Sequence, residues 1–346
     1  MSKQILIVRN DKLGDFILSF PAIALLKKNC PDWRITVLVP AYTLPMAKMN
    51  SAIDDYIIDP GPQASWQQQM ALWRQLRQAG FDAVITLFST FRIGLMLRLC
   101  GIPYRLAPAT KLAQIFYNHR LVQRRSRSLK PEYQYNADLL EEFLRDYCRL
   151  SQVNAVQPPY LQISADTDCA KLLPNAKAGR KRVVIHPGSG GSANNLTLQQ
   201  YARLARTLLE KADFDLIISA GPGEEAQAKE LKNIINFHNT QLFVSDQGLP
   251  RFAQFLSCVD LFIAGSTGTL HLAAALNVAT LGFYPRRRSA TALRWQTIND
   301  ADKRLAISAS NDGDEQDMSG IDLEDCAKQA LAKFPDRLGV QPNVEC

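Results

Sequence analysis

Short apolar runs alternate with amphipathic segments along the first half of the chain. Residues 5–8 form a short apolar run of the kind found in strands buried in parallel sheets, and further strands are predicted at 34–39, 56–58 and 83–88. Helical periodicity lies between them, from residue 16 to 28 and from 66 to 79. Repeated strand–helix units predict a parallel sheet with helices on both faces.

The pattern breaks down between residues 151 and 181, where prolines and polar residues predict a connection between domains. It then restarts, with strands predicted at 183–185, 216–218, 261–263 and 280–283, and helices at 198–211, 223–233, 269–276 and 322–334. We expect an α/β protein of two Rossmann-like, doubly wound domains, 1–160 and 181–346, joined by a linker at 161–180. Packing of the last predicted helix against the first domain is an open alternative. The 346-residue length also favours two domains, and their ligand is expected at the carboxyl ends of the strands.

A glycine- and hydroxyl-rich segment joins the predicted strand at 261–263 to the following helix. It contains Gly265, Ser266, Thr267, Gly268 and His271. Ser266 or Thr267 can cap the helix, and exposed N–H groups at a helix start favour a phosphate. The sequence alone leaves two interpretations open, an anion site or an ordinary capped helix with His271 satisfied internally.

Two further loops follow predicted strands in the second domain. The loop after residue 185 contains His186, Ser189 and Gly190 and is a second candidate phosphate cradle, although its spacing fits neither a P-loop nor a dinucleotide fingerprint. The loop after residue 218 ends in Glu224, which is placed to bind ribose hydroxyls. For the adjacent Glu225, a simple interaction with the helix dipole is the preferred interpretation.

Asp15 is the carboxylate with the clearest catalytic potential. It ends the loop after the first strand, at the start of a helix and facing the expected cleft. A general base has to reach an acceptor hydroxyl and remain ionised near neutral pH. The competing interpretation is a helix cap, and Asp11 is a weaker candidate for either role.

The net charge of +7 favours anionic partners. Basic residues concentrate between residues 92 and 130, and a second basic run follows the strand at 280–283. The candidate acceptor contacts are Lys12, Arg92, Arg120, Arg124 and Lys130, and the candidate phosphate contacts of the second run are Arg286 and Arg287. A solvated basic face is the alternative for both groups. A nucleic-acid binder is a further hypothesis, but it has no motif in its favour.

The remaining features exclude several classes of site. Seven scattered cysteines without a CxxC pair suggest neither a zinc site nor a disulfide framework, so reduced thiols and a cytoplasmic protein are expected. The N-terminus lacks a signal peptide, and no apolar run is long enough to span a membrane. Asp312 and Asp314 lie in a polar stretch that is interpreted as a solvated loop, and no metal is predicted.

Taken together, the motifs resemble those of glycosyltransferase family nine, the bacterial lipopolysaccharide heptosyltransferases with a GT-B fold. The resemblance covers nearly the whole chain and follows the family's order. It rests on residues 12–21, Lys130 with residues 132–136, residues 186–189, residues 221–224 and residues 266–276.

The resemblance implies an inverting transfer of a heptose, or a related sugar, from an ADP-sugar to the lipopolysaccharide inner core. In that scheme Asp15 is the general base. Ser189, Gly190, Ser266, Thr267, Gly268 and His271 hold the diphosphate, and Glu224 holds the ribose. The scheme needs no metal or cofactor, and it places the protein peripherally on the cytoplasmic face of the inner membrane, in contact with an anionic lipid-linked acceptor and not with nucleic acid.

Two departures from the family pattern concern the donor site. Ser266 stands where many members have Asp, and residues 194–196, Asn-Asn-Leu, stand where many have a Lys-containing element. Arg286 to Arg288 are placed to compensate for the missing lysine. The alternatives are a transferase with another nucleotide sugar and a binding protein of the same fold that has lost catalysis.

Overall fold

The computed structural model describes residues 3–110, 112–163, 167–177, 179–189, 194–238, 240–309 and 314–340. The chain divides into two compact units, Met1–Gln162 and Ile163–Cys346. The boundary between them lies at the start of the predicted linker.

The first unit contains six strands and six helices. The strands are β1 (Gln4–Val8), β2 (Arg34–Pro40), β3 (Asp55–Asp59), β4 (Ala83–Thr86), β5 (Tyr104–Pro108) and β6 (His119–Leu121). The helices are α1 (Leu13–Ile17), α2 (Phe20–Asn29), α3 (Leu44–Met49), α4 (Trp66–Gln78), α5 (Phe91–Leu99) and α6 (Glu132–Asp146). Short 3-10 turns cover Ala41–Thr43, Leu112–Phe116 and Arg125–Arg127.

All six strands of the first unit pair in parallel, in the order β3-β2-β1-β4-β5-β6. The central strand β1 is buried from Ile5 to Val8, as its uninterrupted apolar run predicts. The chain continues from β1 towards one edge of the sheet, through β2 and β3, and from β4 towards the other edge, through β5 and β6. In this topology the ligand is expected in the crevice at the carboxyl ends of β1 and β4.

The helix predicted over residues 16–28 is two helices, because the chain turns at Leu18 and Ser19 between α1 and α2. The Ser19 hydroxyl donates to the carbonyl oxygen of Phe16 at 2.5 Å and closes this turn. Pro21 then falls in the first turn of α2, where its missing N–H costs no helical hydrogen bond.

The second unit repeats the arrangement. Its strands are β7 (Lys181–His186), β8 (Phe214–Ala220), β9 (Gln241–Val244), β10 (Leu261–Gly265), β11 (Ala279–Tyr284) and β12 (Arg304–Ser308). Its helices are α7 (Cys169–Leu172), α8 (Leu198–Leu209), α9 (Glu225–Ile235), α10 (Gly248–Leu256), α11 (Gly268–Ala275), α12 (Leu323–Lys333) and α13 (Pro335–Leu338).

The second sheet is also parallel, with the order β12-β11-β10-β7-β8-β9. Relative to its own chain direction this is the same order as in the first sheet, so β7 and β10 flank its switch point. The helix α12 packs against α8 inside this unit and buries Cys326, Ala327 and Ala330 in its core. The predicted α/β fold with two Rossmann-like sheets is thus confirmed.

The cysteine prediction is wrong for one pair, since Cys169 and Cys258 form a disulfide with a Cα–Cα distance of 5.7 Å. The two residues are 89 positions apart, so their spacing gives no sequence signal. Their bond joins α7, which lies in the predicted linker, to the turn after α10. This part of the linker is therefore tied to the second unit.

Within the described ranges, no helix has both the length and the apolar character needed to cross a bilayer.

Candidate active site

The loop after β1 carries Asp15 to the carboxyl edge of the first sheet. Lys12 is the N-cap residue of α1 and is extended, and Asp15 lies in the first helical turn. A carboxylate in this position interacts favourably with the helix dipole. The capping interpretation of Asp15 is thus wrong, because residue 12 takes that place.

The Asp15 carboxylate is held by Arg9, the residue that follows β1. Nη2 of Arg9 lies 2.5 Å from Oδ1 of Asp15, and Nε of the same guanidinium lies 2.9 Å from Oδ1 of Asp11. The Arg9 side chain is 2% exposed and that of Asp15 is 15% exposed. A buried, planar guanidinium with several carboxylate partners fixes the direction of each of them.

The remaining donors of Arg9 point to α6. Nη1 donates to Oε1 of Glu132 at 3.1 Å and to Oδ1 of Asn136 at 3.2 Å. The Asn136 amide in turn donates to the carbonyl oxygen of Leu18, just after α1. Glu132 also accepts from Nη1 of Arg125 at 2.7 Å. The first-strand loop is therefore fastened to a helix more than 110 residues further along the chain.

Burial raises the pKa of Asp15, the Arg9 charge lowers it, and Glu132 raises it, with a net upward shift. Burial also raises the pKa of Asp11, to about 6, against the opposing effect of Arg9. For Arg9 itself, burial lowers the pKa, but the carboxylates of Asp11, Asp15 and Glu132 outweigh it and the net shift is upward. A carboxylate with a raised pKa, which an arginine still keeps in place, has the properties of a general base.

Sequence reasoning missed Arg9, Glu132 and Asn136 as site residues. Arg9 had a local signal, since it directly follows a buried strand and two aspartates come within six residues of it. Glu132 and Asn136 lie in the segment 132–136 that carries part of the family resemblance, but nothing local points to Arg9, because only the packing of α6 against α2 brings them to this edge.

The predicted acceptor contacts do not form one cluster of free cations. Arg92 donates to Oδ1 of the buried Asp59 at 2.7 Å, and Lys130 pairs with Asp138. Lys12, Arg120 and Arg124 are exposed. Arg92 and Lys130 therefore already have anionic partners, which an acceptor phosphate would have to displace or join.

The helix α11 starts at the switch point of the second sheet, as the glycine-rich loop predicts. Its N-cap residue is Thr267, but the Thr267 side chain makes no capping hydrogen bond. Its hydroxyl lies 2.9 Å from that of Thr269, while the backbone N–H of Ser266 donates to the carbonyl oxygen of Phe283. The expected side-chain cap is thus absent, and the N–H groups that open α11 have no side-chain cap competing with an anion.

His271 lies one turn into α11 and is 2% exposed. Burial lowers its pKa to about 4, so the imidazole is neutral at pH 7. Its Nδ1 has no hydrogen-bond partner, which argues against an internally satisfied histidine. A buried polar atom without a partner is uncommon in proteins and is consistent with a ligand-binding position.

A second cluster surrounds Glu224, beside the loop that follows β7. Oε2 of Glu224 accepts from the backbone N–H of Gly221 at 2.9 Å and lies 3.5 Å from Nε2 of His186. Nδ1 of His186 lies 3.0 Å from the Ser219 hydroxyl. Burial lowers the pKa of His186, and Glu224 partly offsets this shift. A Cβ atom at Gly188 would overlap the Glu224 carboxylate, so the glycine allows this carboxylate to lie against the loop.

Asn194 and Asn195, which stand where many family members have a lysine-containing element, make hydrogen bonds within the protein. The Asn195 amide donates to the Pro187 carbonyl oxygen at 2.8 Å and accepts from the Tyr201 hydroxyl at 2.6 Å. A Cβ atom at Gly265 would overlap Asn195, so this asparagine packs directly against the end of β10. The Asn194 side chain donates to the backbone of Gln316.

The other predicted donor-site residues lie around these loops. Ser189 is half-buried at the end of the described β7 loop, whereas Gly190 lies outside the described residues. The backbone N–H groups of Arg286 and Arg287 both donate to the Glu315 carbonyl oxygen, and only the Arg287 side chain is fully exposed. Asp312 also falls outside the described residues, and in the remainder no three His, Cys, Asp or Glu side chains form a metal-binding group.

Comparisons with known proteins identify the family to which this chain is similar. The model of "Glycosyltransferase family 9 (heptosyltransferase)" matches residues 69–319. A Haemophilus influenzae protein named "Putative glycosyltransferase" is 44% identical over 310 residues, covering 88% of this chain and 89% of that protein. The lipopolysaccharide heptosyltransferase 3 of Escherichia coli is 20% identical over 279 residues, covering 78% of this chain and 80% of the relative.

Solved structures show the same fold at low sequence identity. The E. coli ADP-heptose lipopolysaccharide heptosyltransferase II superposes with a TM-score of 0.75 at 17% identity, covering 96% of this chain and 99% of the other. The E. coli heptosyltransferase WaaC with ADP gives a TM-score of 0.74 at 15% identity, covering 95% of this chain and 99% of the other. A further WaaC structure contains ADP-2-deoxy-2-fluoro heptose.

Proposed function

This chain belongs to glycosyltransferase family 9, and from that membership we propose that it transfers a heptose, or a related sugar, from an ADP-sugar to the lipopolysaccharide inner core with inversion. The observation that carries this proposal is the Asp15 carboxylate. It lies at the carboxyl edge of the first sheet, its position is fixed by Arg9, and its pKa is raised by burial.

In the proposed reaction, Asp15 accepts the proton of an acceptor hydroxyl. The hydroxyl oxygen attacks the anomeric carbon of the donor sugar from the face opposite the diphosphate. The bond between that carbon and the diphosphate oxygen breaks, and ADP leaves with the bonding electrons. Arg9 holds Asp15 in place while the raised pKa makes the carboxylate a stronger base than an exposed aspartate.

The second unit supplies the donor site in this proposal. The uncapped start of α11, with Thr267 and Gly268, offers N–H donors and a positive dipole end to the diphosphate. Nδ1 of the neutral His271 lacks a partner in the protein and provides one more polar contact. Glu224 takes the ribose hydroxyls. These groups stabilise the leaving diphosphate without a metal, so full activity after EDTA treatment is expected.

The acceptor in this proposal is an anionic, lipid-linked oligosaccharide bound by the first unit. Of the candidate acceptor contacts in this unit, Lys12, Arg120 and Arg124 are exposed. Since the acceptor is anchored in a bilayer, we propose a peripheral position on the cytoplasmic face of the inner membrane. The Haemophilus influenzae heptosyltransferase OpsX, named for the lipopolysaccharide core, is 18% identical over 316 residues and supports an acceptor of this class.

The test is a transfer assay with the purified chain, ADP-heptose and a delipidated core oligosaccharide. Release of ADP and an inverted anomeric configuration in the product, determined by NMR, are the expected results. UDP- and GDP-linked sugars serve as the matched controls. No release of nucleotide from any of these donors would overturn the proposed activity.

Asn195 favours a second possibility, a transferase for another nucleotide sugar or a protein that binds donor without turnover. Its amide donates to the Pro187 carbonyl oxygen and accepts from the Tyr201 hydroxyl, and it has no positive charge, so it does not supply the charge that a lysine would bring to a donor phosphate. A thermal-shift screen distinguishes these cases, because a ligand that binds only the folded protein raises Tm. Stabilisation by UDP- or GDP-sugars above that by ADP-sugars would favour another donor, and stabilisation without turnover would favour a binding protein.

A further inference from the structure

The outer face of α5 is apolar. Phe91, Leu95 and Leu99 are spaced four residues apart, so they lie along one side of this helix. The inner side is buried through Ile93, Gly94 and Leu97. Apolar residues on both sides of a surface helix are consistent with a second partner besides the core of its own domain.

The 3-10 turn Leu112–Phe116 extends this face. The rings of Phe91 and Phe116 are in edge contact, with centroids 4.8 Å apart, and Gly94 lets Phe116 approach the helix closely. Two large apolar side chains of the turn remain exposed beside the three of α5. The exposed fractions are 56% for Phe91, 37% for Leu95, 61% for Leu99, 79% for Leu112 and 60% for Ile115.

The chain segment that contains this apolar face is rich in cations, of which Arg92, Arg125 and Lys130 have carboxylate partners. Between residues 60 and 131 the chain has eleven lysines and arginines but a single acidic residue, Asp82. The carboxylate of Asp82 accepts from the backbone N–H of Gln4, at the amino end of β1 and away from the candidate site. Arg98 lies between Leu95 and Leu99 on the exposed face of α5.

We propose that the face formed by α5 and the turn Leu112–Phe116 docks on an anionic lipid bilayer, with its apolar side chains inserted among the acyl chains. An exposed apolar patch of this kind marks an interaction site, and the exposed Arg98 on it, within a basic segment of the chain, matches anionic headgroups. The helix also starts after β4, the sheet neighbour of β1, so the patch begins at the same sheet edge as Asp15. This inference rests on the proposed lipid-linked acceptor and names the surface that reaches it.

The experiment is sedimentation of the full chain with vesicles of phosphatidylglycerol and phosphatidylcholine, compared with phosphatidylcholine alone. Binding to the anionic vesicles and release by salt are expected. The triple variant Leu95→Gln, Leu99→Gln, Ile115→Gln should lower vesicle affinity at least about tenfold. Arg98→Gln should lower it about fivefold. The matched controls are Leu293→Gln and Arg145→Gln, exposed residues outside this face, and they should bind as the parent does.

Measurements of sugar transfer and of vesicle binding together test the docking surface separately from the proposed reaction. The triple variant should transfer sugar to a delipidated acceptor at the parent rate but lose activity on acceptor embedded in vesicles. A parent chain that transfers sugar yet binds no anionic vesicles would overturn the docking surface alone. A parent that binds vesicles through this face but turns over no donor would overturn only the proposed reaction. A dimer that the triple variant dissociates, without vesicle binding, would assign the face to a second copy instead.

Discussion

Arg9 Nη2 lies 2.5 Å from Asp15 Oδ1, and both groups are largely withdrawn from solvent. The pairing has two opposite effects on the proposed base. It fixes the carboxylate at the sheet edge, and it opposes the rise in pKa that burial causes. Replacement of Asp15 and replacement of Arg9 should therefore have different effects on catalysis.

Replacement of Asp15 removes the proposed proton acceptor. Asp15→Asn keeps the size of the side chain and should lower kcat about 10²- to 10⁴-fold, with little change in donor KM, because general-base catalysis contributes a factor of this size. Asp11→Asn is the matched control, since it also faces Arg9. Equal losses in the two variants, measured as ADP release, would contradict the assignment of Asp15.

The pH profile should report the pKa of Asp15. A base acts when deprotonated, so kcat/KM should fall as pH decreases through a pKa that lies above the ordinary value of 3.8. Arg9 lowers that pKa, so Arg9→Gln should move the acidic limb to higher pH, whereas Arg9→Lys should largely retain its position. If the acidic limb does not move in Arg9→Gln, the Arg9 guanidinium has no effect on the pKa of the catalytic base, and this prediction is wrong.

The buried His271 should make the stability of the second unit depend on pH. Its pKa is lowered from 6.5 to about 4, so the folded state binds its proton less tightly than the unfolded state does. The associated stability is present above pH 6.5 and is lost as pH falls towards 4, by about 3 kcal/mol in total. Urea unfolding should show this slope flattened in His271→Leu but unchanged in His238→Gln, the control at an exposed histidine.

Gly188 allows the Glu224 carboxylate to approach the loop after β7. Gly188→Ala would push that carboxylate aside and should raise donor KM about tenfold, the effect of losing one hydrogen bond to a charged group. Gly221→Ala is a graded control, because its Cβ would lie 3.1 Å from Oε2 of Glu224, a distance that a small shift relieves. Unchanged KM in Gly188→Ala would exclude Glu224 from donor binding.

The disulfide gives a prediction for stability. Cys169→Ser should destabilise the second unit by about 2–4 kcal/mol, because the bond closes a long loop in the unfolded chain. Cys258→Ser should have the same effect, and the double variant should be no less stable than either single one, since all three lose the same bond. Cys100→Ser, at a half-buried free thiol, serves as the control in urea unfolding. Fully additive losses would contradict a shared bond.

Much of the fold was predictable because buried parallel strands have a strong local signal. The strands β1, β7 and β10 each contain a continuous apolar run, at residues 5–8, 183–185 and 261–264, and glycine and hydroxyl residues follow β7 and β10. The short edge strand β6 has no such run, since its three residues are partly or fully exposed. For the same reason β12 went unpredicted.

The candidate site was only partly predictable. Asp15 and the α11 loop stand out locally, because each lies at the start of the helix that follows a buried strand. The partners that set their chemistry come from elsewhere in the chain, since Glu132 reaches Arg9 through the packing of α6. The pairing of Arg92 with Asp59 likewise depends on the position of β3 in the sheet. A run of basic residues therefore does not reveal which cations are already neutralised.

The contact between Arg9 and Glu132 also has a consequence for synthesis on the ribosome. The two residues are 123 positions apart, so a nascent chain that ends before α6 has β1 and its loop but lacks Glu132, one of the carboxylates that Arg9 binds. Such a fragment would leave a guanidinium without one of its buried partners, a costly state in an apolar interior. Translation must therefore pass residue 132 before the loop that carries the proposed base can take its final position.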